Sequence, residues 1–184
     1  MIRCFLAINL SSELKEFIKK SLIKWRTINC KVKWVQPENC HITLKFLGNI
    51  PSSQLVEINN TIESATKNFG DFELSLSSPG IFPSPNRPRI LWLGLDGEVK
   101  KLAKLQNIID TSLKEFGFEA EKKGFIPHIT VGRIKRPPLN VNIDPFLKSS
   151  LPNNCSFKVK EFYLMQSTLT PKGPIYTKLR AFPL

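Results

Sequence analysis

The phrase H-I-T occurs twice, at His41 and at His128, and these are the only two histidines in the chain. The copies "HITLKFLG" and "HITVGR" begin 87 positions apart (128 minus 41), close to half of the 184 residues. Each follows a turn signal, "QPEN" in one case and "KKGFIP" in the other. A chain built this way must present the same short strand twice, which points to two similar lobes facing each other across a groove. No residue-by-residue repeat is evident outside the phrases, so any duplication is structural or worn.

The segments between and around the phrases support a mixed α+β chain with antiparallel sheets. From Ser12 to about Ile28, Leu14, Phe17, Ile18, Leu22 and Trp25 fall on one helical face, with Ser12 as the expected N-cap. A second helix carries Leu55, Ile58, Ile62, Ala65 and Phe69 at alternating three and four spacing. A third begins after Gly97, is lined by Val99, Leu102, Leu105, Ile109, Leu113 and Phe116, and ends at Gly117. The opening "MIRCFLAI" and the runs "FELSLS", "RILWLGL", "PHITVGRI", "CSFKVKEFYLMQS" and "IYTKLRAF" are rich in β-branched and aromatic residues and read as strands. "GIFPSPNRPR" holds too much proline for either element and reads as an ordered loop.

Composition narrows the function classes. Lys and Arg number 27 against 15 Asp and Glu, a net charge of +12 that favours polyanionic partners such as nucleic acid. The lysines of "KEFIKK" and "EKKG" are either solvated faces or guides for a polyanion. Cys4, Cys30, Cys40 and Cys155 have no CxxC spacing and read as reduced, mostly buried thiols. No run approaches the ~20 apolar residues that a membrane span needs, so no membrane partner and a cytoplasmic location are expected.

In an extended strand the histidine and threonine of H-x-T point the same way, while Ile42 and Ile129 turn to the core. Two such strands on one groove bring together two groups titrating near neutral pH and two hydroxyl donors. That inventory suits in-line cleavage of a phosphodiester without a metal. A base takes the proton of the incoming oxygen and an acid protonates the departing one, each transfer worth ~10²–10⁴ in rate. Thr43 and Thr130 supply hydroxyls for the non-bridging oxygens. Lys45 shares the face of His41 and Thr43 on a regular strand. Arg133 lies five residues past His128, starts on the opposite face and reaches the groove only through a bulge or strand end. Zinc is disfavoured because the two histidines lack the third and fourth ligands of a zinc site and no HxxxH or HExxH is present, and no G-x-S-x-G elbow is present for a serine triad. Phe46, Phe82, Trp92 and Phe125 are candidates to stack a terminal base, although strand aromatics usually pack inward.

The chain resembles the two-histidine phosphoesterases of the LigT-like group, specifically the RNA 2′,3′-cyclic phosphodiesterases formerly called 2′-5′ RNA ligases. The resemblance runs nearly end to end: "MIRCFLAI", "WVQPENCHITLKFLG", "GIFPSPNRPRILWLGL", "PHITVGR" and "GPIYTKLRAFPL". It implies one bilobal domain over residues 1–184, two antiparallel sheets with flanking helices related by a pseudo-twofold, and an active-site groove between the lobes. His41 would be the proton donor and His128 the proton acceptor, with Thr43, Thr130 and Arg133 on the phosphate. Lys45 and Phe46 complete the expected substrate contacts. No cofactor or metal is implied. The implied activity opens a 2′,3′-cyclic phosphate at an RNA end, such as that of a tRNA half, to a 2′-phosphate, and a 5′-hydroxyl in place of water gives 2′-5′ ligation. A monomer is expected. Two other readings stand beside it: a cyclic phosphodiesterase for a small nucleotide metabolite, and a non-catalytic module that binds RNA ends.

Overall fold

The computed structural model describes residues 1–119, 124–138, 141–151, 156–171 and 173–184; Cys155, Lys122 and Lys123 lie outside the described residues. In chain order the elements are β1 (Ile2–Asn9), α1 (Ser12–Trp25), β2 (Val32–Trp34), β3 (His41–Ile50), α2 (Leu55–Thr66), β4 (Phe72–Ser84), β5 (Arg87–Gly97), α3 (Val99–Ser112), β6 (His128–Ile134), α4 (Asp144–Leu147), β7 (Ser156–Val159), β8 (Glu161–Thr170) and β9 (Gly173–Pro183). The three long helices fall where the 3.6-residue periodicity puts them. Ser11 rather than Ser12 caps α1, its side chain accepting from the Leu14 N–H at 3.3 Å.

The strands pair antiparallel in the order β7-β4-β5-β6-β3-β1-β8-β9, with β2 alongside β6. Outward from the centre, β3-β1-β8-β9 and β6-β5-β4-β7 repeat one pattern, each beginning with an H-I-T strand. This is the expected pair of antiparallel half-sheets related by a pseudo-twofold, and they meet at one residue pair, Ile42 with Ile129. The seam is narrow because β2 takes the rest of the β6 edge, pairing Trp34 with Gly132, Lys33 with Arg133 and Val32 with Ile134.

Alternation along β1 separates the two faces of the sheet. Cys4, Leu6 and Ile8 belong to the main core together with Leu14, Ile18 and Trp25 of α1, Ile58 and Ile62 of α2, and Leu102, Leu105 and Ile109 of α3. Phe5 and Ala7 point to the opposite face and form a separate small cluster with Met165. The helices therefore cover one face, and the other is left for the groove. Trp25 is fully buried, stacked 6.1 Å from Trp34 and edge-on to Phe146 at 5.1 Å, with its indole N–H donating to Ser149 Oγ at 2.9 Å.

The proline-rich segment corrects one expectation. "GIFPSPNRPR" is a hairpin rather than a loop: β4 and β5 pair through Phe82 with Ile90, Pro83 with Pro88 and Ser84 with Arg87. Pro79 and Pro83 sit at the two register irregularities of this ladder, where a missing N–H costs the sheet least.

Candidate active site

His41 opens β3 and His128 opens β6. Because Ile42 lies opposite Ile129 in an antiparallel pair, the register carries His41 toward Thr130 and Thr43 toward His128. The two isoleucines are fully buried behind the seam, and the histidines and threonines alternate onto the open face. The four motif side chains thus gather around the pseudo-twofold.

Each imidazole is held in the same way. His41 Nδ1 lies 2.7 Å from the Asn39 carbonyl oxygen, and His128 Nδ1 lies 2.8 Å from that of Ile126, in both cases two residues upstream. A carbonyl can only accept, so Nδ1 carries the proton in both rings and Nε2 is the nitrogen free to exchange one. Burial lowers the His41 pKa below the usual imidazole value; its hydrogen bond to Asn39 opposes this, and the charges of Arg133 and His128 add to it. Those two charges act on His41 because they share its surroundings. The neighbouring Cys40 thiol is buried, and desolvation followed by Glu38 pushes its pKa up to about 12, which rules it out as a thiolate nucleophile near neutral pH.

Strand bulges decide which further side chains join the site. In β6, Thr130 pairs with Trp92 but Gly132 pairs with Leu91, leaving Val131 as the extra residue. Val131 and Gly132 both turn to the core side, and Arg133, opposite Ile90, returns to the open face. The bulge that Arg133 requires is present. In β3 the same irregularity follows Thr43: Leu44 is the extra residue, Lys45 pairs with Leu6 and Phe46 with Phe5.

For Lys45 the bulge reverses the expectation. It does not share the face of His41 and Thr43; it is 4% exposed, its ammonium 2.5 Å from Asp110 Oδ1 of α3 and donating to the Glu119 carbonyl at 2.6 Å. Simple alternation fails because the bulge inserts one residue between Thr43 and Lys45. Phe46 is turned out instead, 59% exposed and 6.2 Å from the Phe5 ring.

Aromatic rings flank both histidines. Phe5 lies 4.9 Å and Tyr176 5.3 Å from the His41 ring. Phe82 lies 5.3 Å and Trp92 6.1 Å from the His128 ring, and the two stack on each other at 4.9 Å. Phe125 is partly buried against the main core. Burial raises the Tyr176 pKa while Arg133 and Arg3 pull against it, so both cations stand near this phenol. Sequence reasoning missed Phe5, whose signal lay in "IRCFLAIN": an apolar run out of phase on both faces of a strand means that both faces are covered.

The family "LigT like Phosphoesterase" matches this chain twice, over residues 13–92 and 93–176. The chain belongs to the LigT-like phosphoesterases. The two matched stretches each contain one H-I-T phrase, in keeping with the pseudo-twofold. Among relatives of this LigT-like chain, the RNA 2′,3′-cyclic phosphodiesterase of Archaeoglobus fulgidus is 39% identical over 98% of this chain and 99% of its own length. A crystal structure from Thermus thermophilus superposes with a TM-score of 0.83 at 28% identity, covering 100% of this chain and 98% of that one. E. coli LigT in complex with 3′-AMP gives a TM-score of 0.77 at 26% identity, covering 100% of this chain and 98% of that one. Among the described residues no helix is long and apolar enough to cross a membrane, and no group of three His, Cys, Asp or Glu side chains is placed to hold a metal ion.

Proposed function

We propose that this protein is an RNA 2′,3′-cyclic phosphodiesterase that opens the cyclic phosphate to a 2′-phosphate with His41 as proton donor and His128 as proton acceptor. The observation that carries this reading is the matched tethering of both Nδ1 atoms, which leaves two Nε2 atoms beside one seam, one on each half-sheet. Full-length relatives named RNA 2′,3′-cyclic phosphodiesterase support the substrate class.

In the proposed step, His128 Nε2 accepts a proton from water as the water oxygen attacks phosphorus. The bond from phosphorus to O3′ breaks, and O3′ takes the proton of the charged His41 Nε2. The reaction leaves His41 neutral and His128 charged, and proton exchange with solvent restores both. Thr43 and Thr130 donate to the non-bridging oxygens, and the Arg133 guanidinium balances their charge. Phe46 offers an exposed ring to the terminal base. A 5′-hydroxyl in place of water would run the same chemistry toward a 2′-5′ bond. The two lobes act as one domain over residues 1–184, in a cytoplasmic monomer that needs no metal and takes RNA ends such as those of tRNA halves.

The deciding experiment incubates the protein, with EDTA, on an oligoribonucleotide ending in a 2′,3′-cyclic phosphate and identifies the product. A 2′-phosphate, lost in His41→Ala and His128→Ala, is expected. A 3′-phosphate would reverse which oxygen the acid serves, and no product would leave RNA-end binding alone. The nucleotide in the E. coli LigT complex makes a small substrate the reading to compare; strong preference for a cyclic mononucleotide over the oligonucleotide would move the assignment there.

A further inference from the structure

The two lobes match at their motifs and differ one strand further out. In both, a position on the inner strand faces the motif threonine: Ala7 on β1 opposite Thr43, and Trp92 on β5 opposite Thr130. The next strand outward places Tyr163 opposite Ala7 and Gly80 opposite Trp92. Aromatic and small residues are exchanged between the lobes.

The exchange gives the two sides of the groove different shapes. On the His128 side the indole of Trp92 lies flat across Gly80, where an added Cβ would come 2.1 Å from its ring, and Phe82 stacks on top. Here the indole and the Phe82 ring together cover the outer strand. On the His41 side the small Ala7 lets the surface continue outward. Phe5, Ala7 and Met165 make a buried floor, with Tyr176 and Tyr163 standing over it. At the outer edge Lys178 of β9, opposite Met165 of β8, sets its ammonium 4.0 Å above the Tyr163 ring. Glu161 accepts from the Tyr163 hydroxyl and so holds the ring from its far end.

Lys178 is exposed and, among the described residues, has no carboxylate within ion-pair distance, whereas Arg180 two positions along is paired with Glu63 at 2.9 Å. It shares a face with Tyr176, about 7 Å away along the strand, and Tyr176 touches His41. The surface therefore runs from the proton donor over one aromatic to a second aromatic that positions a free cation. Single-stranded nucleic acid is held by that combination, rings for bases and a cation for the backbone.

We propose that the β1-β8-β9 face beside His41 is the track for the RNA strand preceding the reacting end, with the Lys178 ammonium on one of its phosphates. The proposal rests on the RNA reading above and gives it a direction: the strand leaves the site over the lobe of His41, not over the lobe of His128. A mononucleotide ends before it reaches Lys178, and an oligonucleotide does not.

The test compares affinities for two ligands that need no turnover, an oligoribonucleotide ending in a 2′-phosphate and the corresponding nucleoside 2′-monophosphate, in the parent and in Lys178→Ala. The expected result is a roughly tenfold loss for the oligonucleotide, less than twofold for the mononucleotide, and a salt slope for the oligonucleotide smaller by about 0.7, the share of one phosphate contact on a single strand. Tyr163→Leu, which frees Lys178 without removing its charge, should show a smaller loss of the same kind. Lys20→Ala removes an exposed lysine of α1, the helix packed on the sheet face away from the groove, where the lysines of "KEFIKK" form a solvated face; it controls for net charge and should leave both affinities unchanged. Equal losses for the two ligands, a loss matched by Lys20→Ala, or a parent that binds the oligonucleotide no better than the mononucleotide would overturn the track. A selective loss in a parent that opens no cyclic phosphate would keep the track and overturn the hydrolytic reading. Hydrolysis without the selective loss would do the reverse.

Discussion

Phe46 and Arg133 occupy the same place in the two halves of the molecule. Each lies five residues past its histidine, and each is returned to the groove face by a bulge just after the motif threonine. One half thus offers a ring and the other a guanidinium, around a site whose four central side chains are otherwise duplicated.

That pairing separates two kinds of contribution. In the proposed role of Arg133, Arg133→Ala should remove the cation that balances the phosphate charge, and loss of such a transition-state contact costs about 10²–10³ in kcat. Arg133→Lys should recover part of it as a point charge without the fork geometry. Phe46→Ala should act mainly on KM, by about 5- to 160-fold, because stacking a base is worth ~1–3 kcal/mol and does not change during bond breaking. Steady-state kinetics on one oligonucleotide would distinguish the two; a Phe46→Ala loss confined to kcat would count against stacking.

The His41 environment fixes the sign of a pH effect. Burial, with Arg133 and His128 adding to it, holds its pKa below the imidazole value of 6.5. A group that must donate a proton loses activity as pH rises through its pKa, so the alkaline limb of kcat/KM, which reports the free protein, should begin below about 6.5. A bound phosphate anion favours the imidazolium and raises that pKa. The alkaline limb of kcat should therefore lie at higher pH than that of kcat/KM. Coincident limbs at or above the ordinary value would remove His41 from the donor role.

Lys45 should behave as a structural residue. Lys45→Met leaves the Asp110 carboxylate buried without its partner, an arrangement that costs about 3–5 kcal/mol. The double variant Lys45→Met/Asp110→Leu should recover most of that stability. Urea denaturation checks both. A stable Lys45→Met protein with a raised KM would return the residue to the substrate.

Gly132 tests the bulge itself. A Cβ there would come 2.9 Å from Val32 Cγ1 and 3.0 Å from the ring of Trp34, which is already stacked on Trp25. Gly132→Ala should lower stability by about 1–3 kcal/mol through overpacking. It should also lower kcat, because the next residue is Arg133. Thermal melting with parallel kinetics would detect both effects; unchanged kcat would mean that Arg133 keeps its place without the bulge.

Much of this arrangement is legible in the order of residues, and the remainder is not for identifiable reasons. The faces of α1, α2 and α3 follow from a period of 3.6, which each helix expresses through its own side chains. The direction of Lys45 does not, because a bulge is a property of two paired strands and the partner of β3 lies far upstream, across the whole of α1. Arg133 could be given a condition and no more, for the same reason. β2 is three residues long and carries no pattern by itself. The β4-β5 hairpin hides behind its prolines, which read as breakers until their places in the ladder are known. The asymmetry between Tyr163 and Gly80 is visible only once strands distant in sequence lie side by side.

The single pair at the seam, Ile42 with Ile129, also bears on how a chain like this can change over generations. A substitution on an outer strand of one half has no counterpart to answer in the other, so each half can drift by itself. A change at either isoleucine displaces both imidazoles together and meets resistance at once. The two halves are identical at H-I-T and unlike at Lys45 against Gly132, Phe46 against Arg133 and Tyr163 against Gly80. The symmetry persists in the strand order, the bulges and the two tethered imidazoles, and is lost in the side chains around them.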